Sequence, residues 1–186
     1  MKTKQEIRSD MLTQRLSLTR EEYTNLSQEL MDKAYRLISE MKKLQVVHIY
    51  LPLESKNEPD TWILIDDLRD AFPHLIICVP KTNWEDKSMD SFTLEEGVTL
   101  LTDKAGIPYP SKAALVDPQY IDLIIVPLLA HNAHFHRIGY GQGFYDRYLS
   151  RCRPDAMKVG LSFSGPVDFE NESFDVPLDL VLHCNK

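Results

Sequence analysis

Glycine is scarce in this sequence. Its 186 residues include seven glycines, where average usage of about 7% predicts about 13. Three of the seven, Gly139, Gly141 and Gly143, fall within five residues, so backbone freedom is concentrated in one place. Cysteine is also thin. Cys78, Cys152 and Cys184 are an odd number without a C-x-x-C pair, which excludes a disulfide framework and a thiolate zinc site and reads as reduced, packed thiols. Basic residues are outnumbered, 21 Lys and Arg against 28 Asp and Glu for a net charge of −7. No broad cationic face for nucleic acid or anionic membrane is expected from that balance. Long hydrophobic runs are missing too: the longest apolar stretch, Leu123 to Ala130, is far short of a bilayer span. The opening Met1 to Arg8 has no apolar core of signal-peptide length. A soluble, cytoplasmic protein with neither nucleic-acid nor membrane partners is expected.

What is present alternates in period. Thr19 with Glu22 forms a capping box, after which Tyr23, Leu26, Leu30, Ala34, Leu37, Ile38 and Met41 recur at helical spacing. A long amphipathic helix is predicted to about Lys43. A first helix precedes it, with Ile7, Met11 and Leu12 apolar, and with Lys4 and Arg8 one turn apart among the basic residues Lys4, Arg8 and Arg15. Val46 to Leu53 and Leu75 to Pro80 read as buried strands. Between them Asp60 and Thr61 cap a helix carrying Trp62, Ile65, Leu68 and Phe72. Ser91 to Leu94 and Val98 to Leu101 read as short sheet, and Leu123 to Leu128 as a strand buried on both faces. Phe144 to Cys152 then reads as helix, and Val159 to Phe163 and Leu180 to Cys184 as strands. The pattern predicts an α/β protein with a mainly parallel sheet flanked by helices, in a single domain over 1–186 with 1–43 as a helical segment packed on it.

The glycine cluster lies in Arg137-Ile138-Gly139-Tyr140-Gly141-Gln142-Gly143-Phe144-Tyr145-Asp146-Arg147, between a strong strand and a helix. Ligands of open α/β sheets collect beyond the carboxyl ends of strands, and glycine lets a phosphate approach backbone N–H groups without a Cβ in the way. The run is neither G-x-x-x-x-G-K-[ST] nor G-x-G-x-x-G. A tight strand-to-helix turn needs the same glycines. The flanking Arg137, Asp146 and Arg147 favour an anion cradle, since cations and a carboxylate suit a nucleotide and its magnesium.

Arg137 to Leu149 resembles the R-L-G-x-G-x-G-Y-Y-D-x-x-L signature of the 5-formyltetrahydrofolate cyclo-ligase family. Lys4 and Arg8 resemble basic residues of that family's first helix, and Glu58-Pro59-Asp60-Thr61 its E-x-D-T segment. Met89 and Phe92 resemble its M-x-F hairpin, Gly106-Ile107 the start of its G-I-x-E-P turn, and Asp175 to Asp179 its H-D-x-x-L-D motif. The resemblance implies a fold like that of ribose-5-phosphate isomerase and CoA-transferases. It also implies ATP- and Mg2+-dependent closure of 5-formyltetrahydrofolate to 5,10-methenyltetrahydrofolate, with ADP and phosphate released. Lys4, Arg8, Arg137, Ile138, Gly139, Tyr140, Gly141, Gln142, Gly143, Phe144 and Tyr145 would then hold ATP, with Arg137 and Tyr145 catalytic. Asp146 and Asp175 would serve magnesium, and Leu51, Glu58 and the Tyr140 to Phe144 face would meet the folate. The expected partners are these small molecules, and the expected state a monomer or weak homodimer.

The pattern is not kept throughout. Leu128 and Phe135 stand at family glycines, His131 at an aromatic, Asn132 at an aspartate, Tyr109 at a glutamate and Phe174 at a histidine. These changes imply an altered pterin neighbourhood, and a paralogue that binds nucleotide or folate without turnover is the alternative. His131, His134 and His136 raise a further one, a metal hydrolase, against which stands the lack of a cysteine pair or H-E-x-x-H to complete a site. As a solvated loop, these imidazoles are expected near the substrate mouth.

Overall fold

The computed structural model describes residues 2–172 and 175–184. Helix α1 (Lys4–Leu16) starts at Thr3, whose hydroxyl accepts from the Glu6 N–H while the Glu6 carboxylate accepts from the Thr3 N–H. Helix α2 (Arg20–Ser39) starts with the same box from Thr19 and Glu22. It ends four residues short of Lys43, because the Met41 N–H bonds back to the Ile38 carbonyl in a tighter turn.

Strand β1 (Val46–Ile49) stops well before Leu53. Beyond it, side chains replace the neighbouring strand as partners: the Tyr50 carbonyl accepts from the Thr61 hydroxyl at 2.6 Å, and the Leu53 N–H donates to the Glu58 carboxylate at 2.8 Å. Pro52, between them, has no N–H to offer. Helix α3 (Thr61–Ala71) is capped by Asp60. Next come β2 (Ile76–Asn83), β3 (Ser88–Thr93), β4 (Leu100–Thr102), β5 (Pro108–Pro110), β6 (Leu115–Val116) and β7 (Leu123–Pro127). The chain continues through β8 (Ala130–His131), β9 (Arg137–Ile138), α4 (Phe144–Leu149), β10 (Met157–Ser162) and β11 (Leu180–His183). β2 outruns the expected Pro80 because its pairing with β1 ends at Cys78; from there its ladder is with β3, where proline is tolerated. Helix α4 stops three residues before Cys152.

The main sheet has the order β11-β10-β7-β1-β2-β3-β6. Its first five strands are parallel, and β3 and β6 run antiparallel at one edge. Two small antiparallel pairs, β4–β5 and β8–β9, stand apart from it. Both faces of β7 are covered, as its continuous apolar run requires. Leu123 and Ile125 pack with Leu30, Ala34, Leu64 and Leu68 of α2 and α3, while Ile124 and Val126 pack with Tyr148 and Leu149 of α4. Gly160 on β10 is a packing glycine: a Cβ there would come within 2.6 Å of Leu128 Cδ2 and 2.7 Å of Leu178 Cδ1.

Helix α1 is held by a separate cluster of Ile7, Ala130, Ile138 and Phe169. Arg15, buried near its end, donates to the carbonyl of Leu128 just past β7. These contacts lay α1 across the carboxyl ends of the strands, where the loop after β9 also emerges.

Candidate active site

The loop owes its shape to two glycines. Gly141 has φ +85° and Gly143 φ +67°, both left-handed, whereas Gly139 is not in that region. A Cβ on Gly141 would lie 3.4 Å from Arg8 Cζ, an ordinary contact, so the positive φ and not crowding is what calls for glycine there. Arg8 Nε donates to the Gly139 carbonyl at 2.9 Å. Gly143 is the N-cap of α4, which has only six residues, so its dipole is small and an anion at this loop would depend on loop N–H groups and side chains. Arg147 braces the loop from outside, donating to the carbonyls of Gln142 at 2.7 Å and Lys87 at 2.8 Å.

The loop and α1 border a cleft of about 490 Å³. One wall is cationic, and its cations are already partnered. Lys4 Nζ is 2.7 Å from Asp175 Oδ2, and Arg137 Nη2 is 2.6 Å from Asp146 Oδ1. The second Arg137 amino group donates to the Val176 carbonyl at 2.7 Å. Burial pulls the Arg137 pKa down against the opposing Asp146 charge. Burial also pushes the Asp175 carboxyl up, but the Glu172 N–H and Lys4 outweigh it and hold it below the usual carboxylate range.

The rest of the cleft lining is neutral or aromatic, and it includes the loop's own Tyr140 and, at the start of α4, Phe144. Glu58 is buried, and desolvation raises its pKa despite the Leu53 N–H and the Arg15 charge. Arg15 lies 3.5 Å from the Tyr140 hydroxyl, which also bonds Glu58. Trp84 meets Phe144 edge-to-face at 5.0 Å, and its indole N–H donates to Asp103, which also accepts from Thr82. At the cleft floor the Tyr145 hydroxyl is 3.1 Å from His48 Nε2.

Lys4, Arg8, Leu51, Glu58, Arg137, Gly139 to Asp146 and Asp175 all line this cleft. Ile138 does not: its side chain is buried in the α1 cluster. The altered positions Tyr109, Leu128, His131, Asn132 and Phe135 lie off the cleft wall, and Phe174 lies outside the described residues. Phe135 has φ +61°, which explains why a glycine suits that position. The Asn132 carboxamide oxygen accepts from the His134 and His136 N–H groups, closing the hairpin turn.

The three histidines do not converge, against the hydrolase reading and against a uniformly solvated loop. His131 is buried beside His183, and its Nε2 faces the Ser164 carbonyl. No group of three His, Cys, Asp or Glu among the described residues is arranged to hold a metal. Asp146 and Asp175 nevertheless offer hard carboxylate oxygens on the cleft wall, a donor set that fits magnesium arriving with phosphates rather than an all-protein cage.

Three contributors were not singled out from sequence. Arg15 completes a stripe with Lys4 and Arg8 at steps of four and seven residues, a helical signal. His48 interrupts the apolar run Val46-Val47-His48-Ile49. Trp84, in a polar hairpin, carries no periodic signal.

The family model of the 5-formyltetrahydrofolate cyclo-ligase family matches residues 1–182. The chain is 28% identical to the 5-formyltetrahydrofolate cyclo-ligase of Mycoplasma genitalium over 188 residues, covering 100% of this chain and 99% of that protein. It is 26% identical to the mouse (Mus musculus) enzyme of that name over 145 residues, 70% of each chain. Among solved structures it is similar to the 5,10-methenyltetrahydrofolate synthetase of Aquifex aeolicus, with a TM-score of 0.79 at 27% identity, covering 97% of this chain and 89% of that one. The Mycoplasma pneumoniae synthetase has the same fold, with a TM-score of 0.80 at 24% identity and coverage of 97% and 98%.

Proposed function

Since this chain belongs to the 5-formyltetrahydrofolate cyclo-ligase family, we propose that it converts 5-formyltetrahydrofolate and ATP to 5,10-methenyltetrahydrofolate, ADP and phosphate. The observation that carries this reading is the juxtaposition, across one cleft, of a cationic glycine-loop wall and a neutral aromatic wall. One suits a triphosphate, the other a reduced pterin.

The formyl oxygen is a poor leaving group. It attacks the γ-phosphorus of ATP and expels ADP; N10 then attacks the activated carbon and gives up its proton, and the C–O bond breaks to release phosphate. No protein nucleophile is required, so the chain's contribution is position and charge. Arg137, Lys4, Arg8 and the loop N–H groups hold phosphate oxygens, with Lys4 and Arg137 exchanging their carboxylate partners for them. Tyr145, on the cleft floor, bonds the oxygen being phosphorylated. Glu58, pushed toward its neutral form by burial, and Leu51 meet the pterin. Asp146 and Asp175 would hold magnesium, which neutralises phosphate charge when bound. The altered positions among the described residues lie off the cleft wall, which supports retained turnover over a binding-only paralogue.

The protein acts as a single domain in the cytoplasm on small molecules, as a monomer or weak homodimer. No helix among the described residues is long and apolar enough to cross a membrane. The test is incubation of folded protein with 5-formyltetrahydrofolate, ATP and magnesium while methenyl absorbance is followed. An absorbance gain that requires all three is expected; none, from folded protein that still binds ATP, would favour the binding-only paralogue.

A further inference from the structure

His48 lies on β1 with no exposed surface. A buried imidazole is costly unless both ring nitrogens find partners. Here Nδ1 is 2.7 Å from Ser91 Oγ and 3.4 Å from the Tyr148 hydroxyl, and Nε2 is 3.1 Å from the Tyr145 hydroxyl. The Ser91 and Tyr148 hydroxyls also bond each other. Three hydroxyls and one imidazole therefore form a chain that is buried at Tyr148 and reaches the cleft at Tyr145. Burial lowers the imidazole pKa to about 3, so at neutral pH one ring nitrogen is protonated and the other is bare.

The contact lengths decide which. If Nδ1 carries the proton, it donates to Ser91 Oγ and Tyr145 donates to the bare Nε2; the Ser91 and Tyr148 protons then have one strong acceptor between them, and the other must use the Cys78 sulfur beside Ser91, a weak one. If Nδ1 is bare, Tyr148 donates to Ser91 and Ser91 donates to Nδ1, while Nε2–H donates to the Tyr145 oxygen; the one proton then without an acceptor among the described residues is that of Tyr145, which lines the cleft. The 2.7 Å contact at Nδ1 is the length of an O–H donor and the 3.1 Å contact at Nε2 that of an N–H donor, which fits the second arrangement.

We propose that His48 is a positioning residue acting through Tyr145: held as the Nε2–H tautomer by Ser91 and Tyr148, it turns the Tyr145 O–H into the cleft as a preset donor to a ligand oxygen. The identity of that oxygen rests on the function proposed above, but the order of the protons does not.

Ring NMR of protein labelled with heavy nitrogen in histidine reads the tautomer without any substrate, His48→Gln assigning the signals. A protonated Nε2 and bare Nδ1 are expected; a protonated Nδ1, or a doubly protonated ring at neutral pH, overturns the proposal. The kinetic arm combines Ser91→Ala with Tyr145→Phe. Ser91→Ala alone is expected to lower kcat about fivefold with little change in KM, and to have no further effect in the Tyr145→Phe background. A Ser91→Ala loss that persists without the Tyr145 hydroxyl marks a merely structural role and contradicts the proposal. Absence of all turnover would overturn the function proposed above, while the NMR result would still decide the tautomer.

Discussion

The two walls of the cleft solve the problem of holding charge in opposite ways. On the α1 and loop side, cations are kept charged by carboxylates: Lys4 by Asp175, Arg137 by Asp146. Away from those pairs, around and beneath the aromatic part of the cleft, burial drives groups toward neutrality. The Glu58 pKa is raised, that of His48 is lowered, and the tyrosines Tyr50, Tyr140 and Tyr145 are all pushed up. On the function proposed above, the first wall would bind anions by exchanging partners, and the second would hold the pterin by shape and by protons fixed in advance. A single ligand of either kind would not need both.

The largest effect is expected from Arg137→Ala. It removes a donor from the cationic wall and leaves Asp146 and the Val176 carbonyl without their partner. Turnover should fall by about a hundredfold or more, and stability by about 3 kcal/mol; steady-state kinetics and chemical denaturation read the two. Asp146→Asn keeps the shape while removing the charge, so turnover should drop about tenfold or more and require more magnesium, and stability should also fall because the buried Arg137 loses its counter-charge. Unchanged turnover and magnesium dependence would remove Asp146 from the metal site. On the neutral wall, Glu58→Gln should raise the KM for the folate about tenfold and leave that for ATP unaltered. An equal rise in both would erase the distinction between the walls.

Much of the fold is legible because burial writes itself into period. Leu123 to Val126 alternate between the two faces of the sheet, and both faces are apolar, so the run is continuous. Thr3 and Thr19 announce their helices three residues ahead through Glu6 and Glu22. The β8–β9 hairpin was hidden because its paired segments are two residues each, too short for any period. At the site, the glycines and their flanking charges were visible as a local string. Arg15 showed only as a basic residue of the first helix, and His48 not at all, because their partners lie far along the chain: Leu128 and Tyr140 for Arg15, Ser91 and Tyr145 for His48. The glycine loop itself divides its labour, since only Gly141 and Gly143 need left-handed backbone.

Smaller effects sharpen the contrast further. The unfolded chain protonates His48 near its ordinary value of 6.5, but the folded protein does so only at about 3. The unfolded state thus binds more protons in this window, and stability falls as pH drops. Between about pH 8 and pH 5 the loss from this group is about 2 kcal/mol. His131, also held low by burial, adds to the slope in wild type. The readout is therefore the difference in denaturation midpoints between wild type and His48→Gln, which should flatten by that amount. Smallest of all, Gly141→Ala strains a left-handed position and brings a methyl into contact with Arg8. It should cost about 1 kcal/mol of stability and raise the KM for ATP severalfold while sparing the folate, as paired kinetics on the two substrates would show.

The account stands on phosphoryl transfer to the formyl oxygen between these two walls. The direct measurement uses 5-formyltetrahydrofolate carrying a heavy-oxygen label in the formyl group, with mass analysis of the phosphate released in a single turnover. The label is predicted to appear in phosphate, one atom per methenyl product formed. Label found in water, with phosphate carrying none, would contradict the account.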